Sequence, residues 1–189
     1  HNIDLAVHSL KDLDSTLPNG LLYIGSPKRE DARDVFISTK WNTLNEVPEG
    51  GDIATGSIRR KAQLLQRRPD LHIHGIRGNI DTRLVKLDES TWDGIIIAAA
   101  GMHRLSLQDR ITQYLNPECF VPAAGQGALG LQIAVDREDI KMLLYSIIDK
   151  TTTLCSQSER LFLAHLEGDC LTPLGVWARI ENDKFLITG

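Results

Sequence analysis

The stretch IATGSIRRKAQLLQRR, residues 53–68, decides the fold class of this 189-residue chain. A short apolar run ends there in a Gly-Ser turn, and Ser57 is a suitable N-cap for a helix over residues 58–68. The same succession of apolar run, turn and helix returns in LHIHGIRGNIDTRL, residues 71–84, where Asn79 precedes a second helix-like segment. A strand that alternates with a helix is typical of an α/β sheet.

Further elements are predicted on both sides of this stretch. Short apolar runs rich in Val and Ile indicate buried strands at residues 3–7, 21–24, 35–37, 71–76, 95–99 and 131–135. Helices are predicted at residues 80–87, 136–148 and 151–166, and a β-hairpin has its two arms at residues 174–180 and 185–187. The chain begins just before a strand and stops within the second hairpin arm, so we expect it to be part of a longer protein.

Composition excludes several functional classes. With 42% apolar and 24% charged residues, the chain can bury the core of one or two domains. No apolar run reaches the ~18 residues of a membrane span. The net charge of −4 argues against a general nucleic-acid surface. We therefore expect neither a membrane nor a nucleic acid as a partner.

The cysteines and histidines do not form the pattern of a metal site. Cys119, Cys155 and Cys170 are odd in number and too far apart for a CxxC pair or a zinc site. The histidines show no ligand spacing either, so no metal is expected. The first residues lack the basic and apolar character of a signal peptide. These features together predict a reducing, cytoplasmic compartment, with an organelle as the alternative.

Arginines cluster at the two strand-to-helix junctions. Arg59 and Arg60 fall in the first turn after Ser57, where free backbone N–H groups already favour an anion. Cations oppose the helix dipole there, so either an anion binds them or they form a solvated helix end. Arg77 and Arg83 repeat the arrangement, and both junctions would share one carboxyl edge of the sheet. The expected ligand is a multiply charged carboxylate or phosphate.

Two more segments have compositions suited to a site. VHSLKD, residues 7–12, is predicted to be a strand that ends in the pair Lys11 and Asp12. An acid is not needed to bind an anion, but it could stabilise a cation or move a proton; a surface ion pair is the alternative. In PAAGQGALG, residues 122–130, small side chains permit close approach of the backbone to a ligand or another segment. A hinge between domains is the competing interpretation.

Cys170 lies in EGDCLTPLG, residues 167–175, a turn between a predicted helix and a predicted strand. Most single cysteines are inert, small apolar residues. A cysteine in an exposed loop differs from these, because its sulfur can be alkylated once the thiol is deprotonated. The loop therefore makes Cys170 a candidate for covalent attachment.

Seven blocks of this sequence resemble the porphobilinogen deaminase (hydroxymethylbilane synthase) family in content and order. They are VHSLKDL (7–13), REDARDVFIS (29–38), GSIRRKAQL (56–64), IRGNIDTRL (76–84), AAAGMHRL (98–105), PAAGQGALG (122–130) and GDCLTPLG (168–175). Any one block could arise by chance, but seven in the same order could hardly do so. The resemblance extends through essentially the whole chain.

The resemblance implies a fold and a division into domains. Members of the family have two similar α/β domains of the periplasmic-binding-protein kind (type II), followed by a small α/β domain. By this likeness, residues 1–26 and 123–144 belong to domain 1, residues 27–122 form domain 2, and residues 145–189 begin domain 3. The fold is therefore expected to be incomplete at both ends.

The resemblance also implies an activity and a cofactor. The family condenses four porphobilinogen molecules head to tail, with loss of ammonia, on a covalent dipyrromethane cofactor. By the same likeness, Cys170 carries the cofactor through a thioether and Asp12 is catalytic. The residues expected to bind the carboxylates of cofactor and substrate, or to lie beside them, are Lys11, Arg59, Arg60, Arg77, Arg83, Arg104, Ser9, Thr55, Ser57 and Gln126.

Departures from the family pattern leave the implied catalytic groups in place. Asp14, Gln132 and Asp169 stand where the family usually has a proline, an acid and a glycine. The family's N-terminal segment, which adds contacts to the cleft, is missing from this sequence, so the chain by itself is not expected to be sufficient for activity. The complete enzyme is expected to be a monomer.

A rival interpretation belongs to a different class. A non-catalytic anion-binding module of the periplasmic-binding type would also need arginines at the strand-to-helix junctions. It would not explain the presence of Asp12 or of the loop around Cys170.

Overall fold

The computed structural model describes residues 3–14, 16–166 and 173–189. Its strands are β1 Ala6–Ser9, β2 Leu21–Gly25, β3 Asp34–Ile37, β4 Asp52–Ala54, β5 His72–His74, β6 Gly94–Ala98, β7 Gln113–Tyr114, β8 Leu129–Ala134, β9 Trp177–Glu181 and β10 Lys184–Thr188. Its α-helices are α1 Ile58–Arg67, α2 Ile80–Glu89, α3 Ala99–Arg104, α4 Glu138–Leu144 and α5 Lys150–His165. The predicted α/β fold class is confirmed. Of the helices so described, none is long and apolar enough to cross a membrane.

The described residues group into two compact units. Unit 1 contains those of His1–Ala32, Val121–Cys170 and Leu174–Gly189, and unit 2 contains Arg33–Phe120 with the described part of Leu171–Pro173. The unit boundary falls after Ala32, later than the domain boundary predicted after residue 26. The C-terminal residues assigned to a third domain group with unit 1. The division into three domains stays a prediction.

The sheet of unit 2 has apolar side chains on both faces. Its strand order is β5-β4-β6-β3-β7, with β4 parallel to β5 and β6, and β3 antiparallel to its neighbours. Successive side chains of a strand point to opposite faces. On β6, Ile95 and Ile97 accordingly pack in one apolar cluster with Leu84 of α2, whereas Ile96 packs in a second cluster with Leu64 of α1. Helices on both faces explain why the strands are continuous apolar runs.

Side-chain caps set the start of the two helices that follow β4 and β5. The hydroxyl of Ser57 accepts a hydrogen bond from the backbone N–H of Arg60 at 3.4 Å. The amide oxygen of Asn79 accepts one from the backbone N–H of Thr82 at 2.9 Å. A cap of this kind stabilises a helix by about 1 kcal/mol. Both caps predicted from the sequence are confirmed.

Unit 1 is built on antiparallel pairings. Strand β8 lies between β1 and β2, and β9 pairs with β10 as a separate two-stranded sheet. The turn of this hairpin is Asn182-Asp183, with φ angles of 50° and 59°. Asparagine and aspartate tolerate this left-handed conformation, which matches the twist of a two-residue hairpin. The predicted hairpin is confirmed.

One buried carboxylate joins three segments of unit 1. Glu159, on α5, is fully buried and accepts two hydrogen bonds from the guanidinium of Arg29, at 2.7 and 3.1 Å. The same carboxylate accepts bonds from the backbone N–H of Gly125 at 2.7 Å and of Ala178 at 2.8 Å. Four donors satisfy the buried charge, which is the condition under which an ion pair is tolerated in a protein interior.

Several predicted boundaries were wrong. The first strand begins at Ala6 rather than at residue 3, and Asp4 forms an ion pair with Arg137. The helix predicted over residues 136–148 is divided into α4 and the 3-10 turn Tyr145–Ile147. Helix α3 was not predicted, because it follows β6 without a side-chain cap. Strand β7 was missed because it has only two residues.

Replacing Glu159 with glutamine in the complete protein is expected to lower the free energy of unfolding by about 3–5 kcal/mol, because the charge of Arg29 then stays buried without its partner. Urea unfolding followed by circular dichroism measures the change. Glu181→Gln is the matched control: it removes an exposed partner of Arg179 and should cost less than about 1 kcal/mol. Equal losses in the two variants would contradict a special role for the buried pair.

Candidate active site

Three strand-to-helix junctions lie at one edge of the unit 2 sheet. Because β4, β5 and β6 are parallel, their carboxyl ends meet at the same edge, and α1, α2 and α3 begin there. Open α/β sheets bind their ligands at this edge. The shared edge predicted from the first two junctions is confirmed, and α3 adds a third.

The junction between β4 and α1 packs tightly against the next one. Thr55 is buried; its N–H donates to the carbonyl of His74 at 2.9 Å, and its hydroxyl accepts from the N–H of Ser57 at 3.3 Å. A Cβ atom at Gly56 would lie 2.5 Å from the carbonyl oxygen of Ile76, so only glycine lets the two turns approach so closely. The predicted ligand contacts of Thr55 and Ser57 stay predictions.

Arg59 and Arg60, on the first turn of α1, are buried and share one carboxylate. Asp34, the first residue of β3, accepts a hydrogen bond from Nη2 of Arg59 at 2.8 Å. It also accepts from Nε and Nη2 of Arg60, at 2.9 and 2.7 Å. Exposure is 4% for Arg59, 5% for Arg60 and 0% for Asp34. Two guanidinium groups share one carboxylate, so these three side chains together carry a net positive charge.

Burial and the neighbouring charges together set the pKa values of Asp34 and Arg59. Burial alone would raise the pKa of Asp34, but the charges and hydrogen bonds of Arg60 and Arg59 outweigh it and hold the pKa below its usual range. The pKa of Arg59 is lowered: burial lowers it most, Asp34 raises it, and the charge of Arg60 lowers it again. A further anion here would relieve the repulsion between the two arginines.

The second junction brings another arginine near the first. Arg83, on α2, is half-buried and its Nε donates to the carbonyl oxygen of Gly78 at 2.8 Å. Burial lowers the pKa of Arg83, and the positive charge of Arg60 lowers it further. Arg77 is exposed, and its carbonyl oxygen accepts a hydrogen bond from Lys86 at 3.0 Å. The structure therefore brings Arg60 and Arg83 into electrostatic contact and leaves Arg77 open to solvent at the same junction.

Arg104 lies at the far end of the third junction's helix. It is the last residue of α3 and is exposed. A Cβ atom at Gly101 would lie 2.4 Å from Cδ1 of Ile80, so α3 packs closely against the first turn of α2. The structure thus connects Arg104 to the shared edge through a short helix, and its contact with a carboxylate stays a prediction.

Lys11 and Asp12 belong to a single 3-10 turn that begins at Leu10, directly after β1. Leu10 is buried, and the N–H of Leu13 closes the turn by donating to the carbonyl oxygen of Leu10 at 3.2 Å. Asp12 is exposed, as is Ser9 at the end of the strand, whereas Lys11 is half-buried. The predicted position of this charged pair at a strand end is confirmed. A carboxylate held on a fixed, exposed turn is suited to act on a ligand.

Gln126 is buried inside unit 1. Its Nε2 donates to the carbonyl oxygen of Ala32 at 2.7 Å, and its own backbone carbonyl accepts from Nε of Arg29 at 2.8 Å. The next residue, Gly127, has a φ of +83°, and a Cβ atom there would lie 2.6 Å from the carbonyl oxygen of Glu30. The close approach predicted for this glycine-rich segment is therefore made to a neighbouring part of unit 1. A ligand contact of Gln126 stays a prediction.

Cys170 lies outside the described residues. The two described cysteines are free: Cys119 is exposed and Cys155 is buried. Burial raises the pKa of the Cys155 thiol, and the charge of Glu159 raises it further. Cys155 is thus a poor nucleophile near neutral pH. Across residues 3–14, 16–166 and 173–189, no group of three or more His, Cys, Asp or Glu side chains is placed to hold a metal ion.

Asp34 was missed by the sequence analysis. It stands in the block REDARDVFIS, which contributed only to the family resemblance. A signal was present, because an acid at the start of a buried apolar strand needs a cationic partner. The partner could not be identified, since β3 lies beside β6 in the sheet and not beside β4, from which the arginine helix begins.

Comparisons with known proteins agree with the sequence blocks. Residues 1–142 match the family described as "Porphobilinogen deaminase, dipyromethane cofactor binding domain". The porphobilinogen deaminase of Syntrophobacter fumaroxidans is 43% identical over 187 residues, which cover 99% of this chain. That of Brevibacillus brevis is 46% identical over 187 residues, or 98% of the chain. The chain spans 60% of the length of each relative.

One solved structure aligns with much of the chain. A nutrient binding protein from Burkholderia cenocepacia, solved with methionine bound, aligns with a TM-score of 0.49 at 12% identity, over 88% of this chain and 78% of that one.

The family match covers most of the chain, and the curated relatives cover nearly all of it. The chain therefore belongs to the porphobilinogen deaminase family.

Proposed function

We propose that the complete protein is a porphobilinogen deaminase in activity as well as in family. It would join four porphobilinogen molecules head to tail, with release of ammonia, into the linear tetrapyrrole hydroxymethylbilane. The observation that carries this proposal is the geometry at the shared edge of unit 2, where the buried guanidinium groups of Arg59 and Arg60 lie 2.8 and 2.7 Å from one carboxylate. Asp34 is the acid that both Arg59 and Arg60 bind.

The chemistry of the donors fits the proposed substrate. Porphobilinogen carries an acetate and a propionate, so each ring added to the chain brings two more negative charges to the site. Planar guanidinium groups bind carboxylates with two parallel hydrogen bonds. Arg77 and Arg104 are exposed, and Arg83 is half-buried. A polycarboxylate ligand would supply the anions that this group of arginines attracts.

The same donors fit a dipyrromethane cofactor, which is built from two porphobilinogen units and carries the same carboxylates. We propose that Cys170 holds it through a thioether. When bound, it supplies the terminal pyrrole to which each new ring is joined. Thr55, Ser57, Gln126, Ser9 and Lys11 complete the proposed set of neighbours, with Lys11 binding a side-chain carboxylate.

Asp12 is the proposed catalytic residue. The carbon–nitrogen bond of the substrate's protonated aminomethyl group breaks, ammonia leaves with the bonding electron pair, and the ring becomes a cationic azafulvenium. A carboxylate near the pyrrole nitrogens stabilises this cation more than it stabilises the neutral ring, and so lowers the barrier. The exposed carboxylate of Asp12, on its fixed turn, is suited to this task.

A non-catalytic anion-binding module would use the same arginines. It would have no need of Asp12 or of a covalent cofactor at Cys170. The intact mass of the complete protein separates the two functions, because only the deaminase carries a covalent dipyrromethane.

The proposal also includes the location and partners of the protein. It is expected to be cytoplasmic and monomeric, and to bind neither nucleic acid nor a membrane.

Cys170→Ser in the complete protein is expected to lack the dipyrromethane mass and to lose activity, because a serine hydroxyl is a far poorer nucleophile than a thiolate. Intact-mass spectrometry and formation of hydroxymethylbilane measure the two effects. Cys119→Ser is the matched control and should keep both. A dipyrromethane found on the Cys170→Ser protein, or its loss when only Cys155 is changed, would overturn the assignment.

Leucine at Arg77, Arg83 or Arg104 should slow cofactor loading or elongation at least about tenfold, because a charge-assisted contact to a carboxylate is lost. The melting temperature should hardly change, since none of the three forms an ion pair with a described residue. Arg110→Leu is the control: its exposed pair with Asp88 should affect neither loading nor stability. A large fall in melting temperature with normal turnover of the folded fraction would identify these arginines as structural.

Asp12→Asn should yield a cofactor-bearing protein whose elongation rate falls by ~10² to 10³, because the negative charge that stabilises the cation is removed. Asp12→Glu should retain some activity, since the charge remains but is displaced. Supplying preformed cofactor excludes failed assembly, and single-turnover formation of enzyme-bound intermediates gives the rate. Asp183→Asn, an equal loss of charge in the hairpin turn, is the control. Near-normal elongation by loaded Asp12→Asn would place the catalytic acid elsewhere.

A further inference from the structure

The turn that carries Asp12 is anchored at both of its ends. At its start, Leu10 is 1% exposed and its N–H donates to the carbonyl oxygen of Ala128 at 3.0 Å. At its end, the guanidinium of Arg160 donates from Nη1 to the carbonyl oxygen of Leu13 at 2.7 Å and from Nη2 to that of Asp14 at 2.5 Å. Asp12 lies between the two anchors, and the second anchor comes from the distant helix α5.

Arg160 is itself held in place. Its guanidinium carbon lies 5.7 Å from the centre of the Tyr23 ring, and the hydroxyl of Tyr23 bonds to Ser26 at 2.7 Å and to Ser156 of α5 at 3.3 Å. Burial lowers the pKa of Arg160, while Tyr23 and Asp14 raise it. A planar guanidinium offers several N–H donors in a rigid fork, so it can bind two successive carbonyl groups at once. A lysine ammonium cannot reproduce this geometry.

The carboxylate of Asp12 depends on this backbone for its position. It is exposed, and it makes no hydrogen bond or ion pair with any residue that the structure describes. Electrostatic stabilisation of a transient charge requires a group that is already in place when the charge forms. A turn free at one end would let the carboxylate spread over several positions, and only some of them would be productive.

We infer that Arg160 is a positioning residue for the reaction: it fixes the end of the Asp12 turn and thereby fixes the catalytic carboxylate. This inference rests on the proposed function, because it takes Asp12 as the catalytic group. The bonds go to backbone carbonyl groups, so they do not depend on the side chain of Asp14, where this sequence departs from its family. The competing role for Arg160 is a purely structural attachment of α5 to the rest of unit 1.

The test combines changes at Arg160 and Asp12 in the complete, cofactor-loaded protein. Arg160→Lys keeps the charge but should lower kcat about 10- to 100-fold with little change in KM, because the carboxylate is misplaced while substrate contacts survive. Arg160→Leu should lower kcat at least as far. Arg179→Lys is the control, since this arginine stacks on Trp177 at 4.1 Å in the C-terminal hairpin and should leave kcat unchanged.

The decisive measurement is the double-mutant cycle. If Arg160 acts through Asp12, adding Arg160→Lys to Asp12→Asn should cause no further loss of single-turnover rate, because the group it positions has already lost its charge. A full additional loss of about 10- to 100-fold would overturn the inference and assign Arg160 to structure. A rise in KM at constant kcat in Arg160→Lys would overturn it as well. Normal turnover of Asp12→Asn alone would instead refute the proposed role of Asp12.

Discussion

The carboxylate of Asp34 allows two arginines to be buried side by side where the helices of unit 2 begin. A guanidinium group taken out of water without a partner is costly, and two neighbours of like charge increase the cost. Asp34 supplies one negative charge between them, at hydrogen-bonding distance from both Arg59 and Arg60. It offsets part of the positive charge of the two guanidinium groups. The start of α1 and the anion binding proposed for the shared edge thus depend on the same carboxylate.

This arrangement links ligand binding to the stability of unit 2. A polycarboxylate at the shared edge would lower the repulsion that Arg60 exerts on Arg59 and Arg83. Any ligand that binds the folded state and not the unfolded chain stabilises the fold by mass action. For a porphobilinogen deaminase, a covalently held cofactor would supply this stabilisation permanently, so the cofactor would serve the fold as well as the reaction.

The elements whose signals lie close together in sequence could be predicted. Ser57 and Asn79 each accept a hydrogen bond from a backbone N–H only three residues away. The conformation of the turn at Asn182-Asp183 follows from these two residues alone. Contacts that depend on strand order could not be predicted. The pairing of Asp34 with Arg59 spans 25 positions, and that of Arg29 with Glu159 spans 130. The candidate site was predicted from its arginines, whereas Asp34, the acid that binds two of them, became visible only in the fold.

The contacts of Glu159 can form only in a certain order as the chain is synthesised. Of its donors, the guanidinium of Arg29 and the amide of Gly125 leave the ribosome before it, whereas the amide of Ala178 follows 19 residues later. Until that amide emerges, the buried carboxylate lacks one of its four hydrogen bonds, although Arg29 and Gly125 already supply the other three. The hydrogen bonds of this buried group are therefore complete only once β9 has been made. The Asp34 cluster has all its members by Arg60. The residues of unit 2 lie in the sequence between segments of unit 1 and precede Ala178, so unit 2 can fold first.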